Sequence, residues 1–188
     1  MRAADLRIAP DARQTLTALL GGDRQASRQE LRKLALYAHG AREVTLDDVQ
    51  SIVTDASALA VDAIADHAFA GRIKDVETGF AKAMAAEIYP GAIISSALRL
   101  ATQLHKARLD MDNGADAEQA KRSRFPNLHF SRTNAIDAAL NQWRSERLGK
   151  LIVQIGDSAF EARRTSALAP VIAQRLMMSI ALNARARA

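Results

Sequence analysis

The sequence predicts an all-α fold, in which a small three-helix unit is followed by a helical bundle. Hydrophobic residues make up 48% of the 188 residues but aromatic residues only 4%. The core must therefore consist of aliphatic side chains with high helix propensity. No alternating run of apolar and polar residues has the length of a strand, and only residues 43–46 have a briefly extended pattern. Apolar residues recur instead at the three- and four-residue spacing of amphipathic helices.

Three helices are predicted at the start of the chain. Their ends are marked by a capping aspartate, a glycine pair and two capping boxes, namely Asp11, Gly21-Gly22, Ser27 with Glu30, and Thr45 with Asp48. The short polar stretch 54–57 follows, and helical periodicity resumes after it. We therefore predict a first domain at residues 1–56 and a second at residues 57–188.

The second domain is predicted to contain six helical segments. They lie at residues 59–69, from Ile73 to Met84, from Pro90 to about Gly114, from Ala115 to about Ser123, at residues 136–151, and after Pro170. The segment 136–151 is predicted as one long helix. Trp143 lies in its apolar register, so core packing is the favoured interpretation of this residue and an interface anchor is the second.

Composition excludes several classes of protein. The chain has no cysteine, which excludes disulfide frameworks, thiolate nucleophiles and cysteine zinc sites. No apolar run approaches the length of a bilayer span, and the first ten residues lack the apolar stretch of a secretory signal. We expect a cytoplasmic protein without membrane association.

Motifs for catalysis or cofactor binding are incomplete. Gly21-Gly22 lacks the lysine of a phosphate-binding loop and lies between predicted helices. Gly156-Asp157-Ser158 resembles part of an esterase nucleophile motif, but no glycine stands two residues after Ser158 and no histidine follows it. The four histidines are too far apart in sequence for a helix-borne metal site. We therefore predict no catalytic, cofactor-binding or metal-binding residue, and no cofactor.

Positive charge is concentrated in the second half of the chain. Residues 1–98 carry a net charge of −2 and residues 99–188 one of +7. Such an excess is more often a solvated helical surface, but it also suits a stand-alone basic helical module that binds nucleic acid. The phosphate contacts of such a module would be Lys121, Arg122, Arg124 and Arg132, and its binding would depend steeply on salt.

Three stretches carry motifs that are informative together. The first contains Leu20-Gly21-Gly22-Asp23-Arg24, Ser27 to Glu30, Leu31, Lys33-Leu34 and Leu36-Tyr37-Ala38. The second contains Asp55-Ala56-Ser57-Ala58, Asp62 and Ala68-Phe69-Ala70-Gly71. The third contains Arg124, Pro126, Phe130, Arg132, Leu140, Trp143 and Leu148. In this order they resemble the lid, the junction and the collar of the delta subunit of bacterial DNA polymerase III.

The resemblance spans roughly residues 16–180, and each motif alone is moderately specific. The sequence departs from the family pattern at Phe125, His129 and residues 161–164. The family's subunit begins with an ATPase-like domain that does not hydrolyse ATP and that opens the sliding clamp. Because nothing in this sequence resembles that domain, we expect the chain to be the lid and collar portion of such a subunit.

The resemblance implies a role in DNA replication. The collar of a delta subunit holds it in the clamp-loader ring, beside delta prime and gamma or tau, and the intact subunit helps to load the sliding clamp onto primed DNA. The nucleotidyltransferase activity of the holoenzyme belongs to another polypeptide, so we expect this chain to be non-catalytic. The predicted partner-interface residues are Trp143 and Arg147 on one helix and Arg175 and Met178 on the last.

Overall fold

A computed structural model of the chain describes residues 6–19, 24–38, 41, 43–46, 48–49, 56–126 and 128–185. These residues form nine α-helices, one 3-10 turn and two strands of two residues each, so the predicted all-α class is confirmed. The chain divides into two compact units, Met1–Leu59 and Ala60–Ala188. The predicted domain boundary, at residue 56, lies near this division. The assignment of the units as lid and collar stays a prediction.

The first unit consists of β1 (Arg7–Ile8), α1 (Pro10–Leu19), α2 (Arg24–Tyr37) and β2 (Glu43–Val44). The strands pair in parallel, with Arg7 opposite Glu43 and Ile8 opposite Val44. The extended pattern predicted at residues 43–46 is therefore confirmed for its first two residues, whereas Leu46 is helical. Its core is small and aliphatic, and its buried members are Ala12, Leu16, Leu34, Ala38, Val44 and Val49.

Helix starts in this unit agree only partly with the sequence signals. The capping box of Thr45 and Asp48 is formed, because the Thr45 amide donates to Asp48 Oδ2 at 2.8 Å and the Asp48 amide donates to Thr45 Oγ1 at 3.3 Å. The predicted caps at Asp11 and Ser27 are wrong, since α1 begins at Pro10 and α2 at Arg24. The glycine pair and most of the predicted third helix lie outside the described residues.

The second unit is a bundle of seven α-helices in the described residues. They are α3 (Ala56–Phe69), α4 (Ile73–Ala85), α5 (Pro90–Asp112), α6 (Ala117–Arg124), α7 (Phe130–Gln142), α8 (Ser145–Arg164) and α9 (Ala169–Arg185), with a 3-10 turn at Ser166–Leu168. The longest helix, α5, packs against α6, α8 and α9. Aliphatic residues dominate the core, as predicted. Three of the six predicted segments agree with α4, α5 and α6 to within two residues at each end, α3 begins three residues before its predicted start, and α9 begins within two residues of its predicted start.

The long helix predicted at residues 136–151 is wrong, because α7 and α8 are separate helices that meet at Trp143. The backbone of Trp143 is extended, with φ −101° and ψ 136°, and its side chain is only 2% exposed. The indole Nε1 donates to the Phe69 carbonyl at 2.9 Å, and the Phe69 ring lies 5.6 Å from the indole. Both helices face the same core, so the apolar spacing continues across the break without a proline or glycine to mark it.

The expectation that no segment could span a bilayer needs a correction. Residues Ser166–Arg185 are long and apolar enough to cross a membrane by length and composition. The segment is not one continuous apolar run, because Arg175 interrupts it, and it was therefore not predicted as a possible membrane span. Seven of the α9 residues are buried in the core of the second unit, and core helices of folded domains pass the same test.

The substitution Trp143→Ala tests whether the turn between α7 and α8 stabilises the second unit. We expect Trp143→Ala to lower the free energy of unfolding by about 3–5 kcal/mol, because a large buried ring and its hydrogen bond are lost together. Phe130→Ala is the matched control, since Phe130 is an exposed aromatic, and it should change stability by less than about 0.5 kcal/mol. Urea denaturation followed by circular dichroism measures both, and equal effects would contradict a core role for Trp143.

Candidate subunit interface

Helix α9 has one buried face and one exposed face, on which apolar side chains stand among polar ones. Ala173, Met177 and Ile180 point into the core. Four side chains at successive spacings of four, three and four residues lie on the opposite side, and these are Val171, Arg175, Met178 and Leu182. Val171 and Leu182 are exposed by 60% and 55%, and Met178 packs partly against the core. We call these four residues the α9 stripe.

Arg147 lies at the start of α8 and connects Trp143, in the turn between α7 and α8, to the end of α9. Its guanidinium carbon is 4.8 Å from the centre of the indole ring, in cation–π geometry. Its Nη2 donates to the Asn183 carbonyl at 2.7 Å, which satisfies an end carbonyl of α9. Arg147 therefore fixes α8 against α9 and retains only part of its surface for another protein.

The predicted interface residues are brought together only in pairs. Trp143 contacts Arg147, and Arg175 and Met178 share the α9 stripe. Trp143 is not on the helix of Arg147, contrary to the prediction, and it is a core residue, as the favoured interpretation held. Interface roles for Arg147, Arg175 and Met178 stay predictions. Val171 and Leu182 were missed, although their spacing from Arg175 and Met178 was visible in the sequence.

A buried ion-pair network connects α3, α5 and α7. Arg132 donates through Nε to Asp66 Oδ2 at 2.6 Å and through Nη2 to Asp66 Oδ1 at 2.9 Å. Its Nη1 donates to Asp62 Oδ2 at 3.0 Å. The other oxygen of Asp62 accepts from Arg99 at 2.8 Å and from the Ser96 hydroxyl. Asp66 is only 3% exposed and the Arg99 side chain is 60% exposed, so the network extends from the core to the surface and joins three helices.

The network also sets the protonation of its members. Burial raises the pKa of the Asp66 carboxyl, although the hydrogen bonds and charge of Arg132 oppose that shift. Burial alone would lower the pKa of Arg132, but the hydrogen bonds and charges of Asp66 and Asp62 outweigh it and the pKa is raised. The ion pair therefore depends on the close bidentate geometry between the two side chains.

The predicted phosphate-contacting cluster is largely neutralised within the chain. Besides Arg132, Lys121 donates to Glu118 at 2.6 Å and to Asp137 at 2.8 Å. Arg124 forms a bidentate pair with Asp110 at 2.6 and 2.8 Å. The hydrogen bonds that Lys121 and Arg124 donate to these carboxylates raise the pKa of both side chains. Arg122 is the one member of the four that is exposed and makes no ion pair with another described residue.

Other candidate chemistry has a structural explanation in the described part of the chain. Ser158 lies inside α8 and its hydroxyl donates to the Gln154 carbonyl at 3.0 Å, as in ordinary helices. His129 caps α7 by accepting from the Ser131 amide at 3.3 Å. No group of three His, Asp or Glu side chains among the described residues could hold a metal ion. His39 lies outside those residues.

Two shallow depressions lie on the second unit. One, of about 220 Å³, is lined by Gln103, Phe125, Pro126, Leu128 and Arg132. The other, of about 270 Å³, is lined by Asp110, Asn113, Ala115, Gln119, Ala120, Ser123 and Arg124. The charged groups in both are already paired to each other or to the network. Neither depression presents an unpaired charged group to a substrate.

Among solved structures, the chain is similar to Bacillus subtilis DNA clamp loader delta protein (YqeN), with a TM-score of 0.61 and 15% sequence identity. The two share a fold. The similarity covers 96% of this chain and 53% of that protein, so the chain spans about half the length of its structural neighbour. At this identity the likeness concerns the fold alone. No protein-family model and no curated protein sequence matches the chain.

Loss of Arg132 should destabilise the second unit in a pH-dependent manner. We expect Arg132→Met to lower the free energy of unfolding by about 3–5 kcal/mol at pH 7, because Asp66 is left buried without its counter-charge. The pKa of Asp66 is already above its ordinary 3.8, and removing Arg132 raises it further. Stability of the variant should therefore be greatest below pH 3.8 and fall as the pH rises through the folded-state pKa.

Denaturant unfolding of wild type and Arg132→Met between about pH 4 and pH 8 measures this difference. Arg122→Met is the matched control, because it removes an arginine that makes no described ion pair, and it should cost less than about 0.5 kcal/mol. A loss in Arg132→Met that is independent of pH would show that the Asp66 charge is not what Arg132 compensates.

Proposed function

We propose that this chain is the lid and collar portion of a clamp-loader delta-type subunit, and that it acts in DNA replication by holding that subunit among its neighbours. One observation carries the proposal. A helical architecture like that of a clamp loader delta protein extends over 96% of the chain.

The chemistry of the surface supports an assembly role over catalysis. Two of the side chains considered for catalysis or metal binding, His129 and Ser158, make ordinary structural contacts with the backbone of their own helices. The most exposed apolar side chains of the last two helices lie on their outer faces, opposite the core. Apolar faces of this kind on a helical bundle suit the burial of a neighbouring helix. In this proposal the chain is non-catalytic and works in the cytoplasm.

We assign the neighbouring clamp-loader subunits, of the delta prime and gamma or tau type, to the α9 stripe. Val171 and Leu182 supply apolar area, and Arg175 supplies a cation between them that pairs with a carboxylate of the partner. Arg147 positions this surface, because it holds the end of α9 against α8. The sliding clamp and primed DNA are partners of the intact subunit in this proposal, through parts of it beyond the lid and collar.

The test is capture of the other clamp-loader subunits of the source organism by this chain, followed by sedimentation in moderate and in high salt. We expect a stoichiometric complex that persists in high salt, since apolar burial is screened little. Arg175→Glu and Leu182→Glu should each weaken it by at least about tenfold, the effect of losing roughly 1.4 kcal/mol. Circular dichroism shows whether these exposed substitutions leave the fold intact.

Arg122→Glu is the matched control, because it makes the same charge change at an exposed site on α6. It should leave subunit capture unchanged. If the chain ignores these subunits but binds DNA with an affinity that falls steeply with salt and with Arg122→Glu, the assembly role is wrong and the chain is a nucleic-acid-binding module.

A further inference from the structure

Helix α8 contains two glycines that the folded chain does not require. Gly149 and Gly156 lie in the interior of this helix of 20 residues, where glycine is less stable than alanine. A β-carbon added at Gly156 would meet nothing within 4 Å, and one at Gly149 would meet only His105, at 3.8 Å. Neither glycine is needed for close packing at its β-carbon position, and both are partly exposed.

The glycines alternate with two exposed apolar side chains. Val153 and Phe160 are exposed by 64% and 61%, and the four positions 149, 153, 156 and 160 are spaced by four, three and four residues. They therefore form one line along the helix, on the side away from the buried Leu148, Leu151 and Ile155. We call this line the α8 stripe. Its order is small, large, small, large.

Reversal of the stripe exchanges its small and large positions. If a second α8 lies antiparallel against the first, with the midpoint between residues 153 and 156, Val153 of each copy faces Gly156 of the other. Phe160 of each copy then faces Gly149 of the other. Each large side chain enters the space above a glycine, which permits the close approach of two helix backbones.

The charged residues beside the α8 stripe are also complementary to their own reversed order. Glu146, Lys150, Asp157 and Arg164 are all exposed and lie along the same flank of the stripe, with signs that alternate from the first to the last. In an antiparallel pair each flank faces the same flank of the partner in reverse order. About the same midpoint, to within one residue, Glu146 lies opposite Arg164 and Lys150 opposite Asp157, so each of these four charges meets the opposite sign. Glu146 and Lys150 also pair with each other along the helix, at 2.6 Å, and the dimer adds a second partner to each.

From this double complementarity we propose that α8 is a self-association surface, and that its partner is the α8 of a second copy of this chain. The contact is isologous, with a two-fold axis that passes between the two helices at their midpoints. Exposed ion pairs add little affinity but fix orientation, so they select the antiparallel register. A helix pair about 30 Å long is a small interface, so the dimer is weak and concentration-dependent. This inference does not depend on the proposed function.

Analytical ultracentrifugation of the whole chain between about 1 µM and 1 mM tests the proposal. We expect a monomer–dimer equilibrium in the wild type. Gly156→Leu, which fills the space above the glycine, and Phe160→Ala, which removes the side chain that enters it, should each weaken dimerisation by at least about tenfold. Val171→Ala on α9 is the matched control, since Val171 is exposed by 60%, and it should leave the equilibrium unchanged.

Charge exchange tests the register. Glu146→Arg alone and Arg164→Glu alone each place like charges opposite one another and should weaken the dimer, whereas the double variant restores opposite signs and should recover it. Circular dichroism checks that each variant stays helical. A wild type that stays monomeric over this range overturns the proposal. A double variant that dimerises no more tightly than the single variants also overturns it. The proposal is also wrong if variants of the α8 stripe impair capture of other clamp-loader subunits but leave self-association unchanged.

Discussion

Burial of the Asp66 carboxylate would destabilise the second unit unless a positive charge faced it, and Arg132 supplies that charge through two hydrogen bonds from α7. Both oxygens of the carboxylate accept, so the pair has one geometry and α7 has one position against α3. Asp62, one turn earlier on α3, extends the network to Ser96 and Arg99 on α5. An aliphatic core alone tolerates sliding between helices, and this network restricts it.

The end of α3 is held by a second polar contact, between the Trp143 indole and the Phe69 carbonyl. Trp143 lies where α7 ends and α8 begins, so the contact fixes the turn between these helices. From that turn, Arg147 reaches the last carbonyls of α9. A chain of contacts thus extends from the buried ion pair to the last two helices, whose outer faces carry the exposed apolar stripes. The rigidity of those surfaces depends on the polar interior.

The same contacts account for the charge of the second half of the chain. Its excess of arginine and lysine suggested an affinity for phosphate, yet Lys121, Arg124 and Arg132 each pair with carboxylates on neighbouring turns or helices. A cation already bound to a carboxylate gains less from a phosphate, since the first pair must be broken. At these three positions, the positive charge joins turns and helices of the second unit.

The amino-acid sequence by itself determined the fold class, most helix positions and the aliphatic character of the core, because helix propensity and apolar periodicity are local properties. It also contained the spacing of both apolar stripes. Only the tertiary structure decided which apolar residues face inward, which cations are neutralised and where α7 ends. Trp143 interrupts the helix without a local signal, and Asp66 and Arg132 are 66 residues apart in the chain. Pairings between distant residues depend on how the helices pack, which local pattern does not specify.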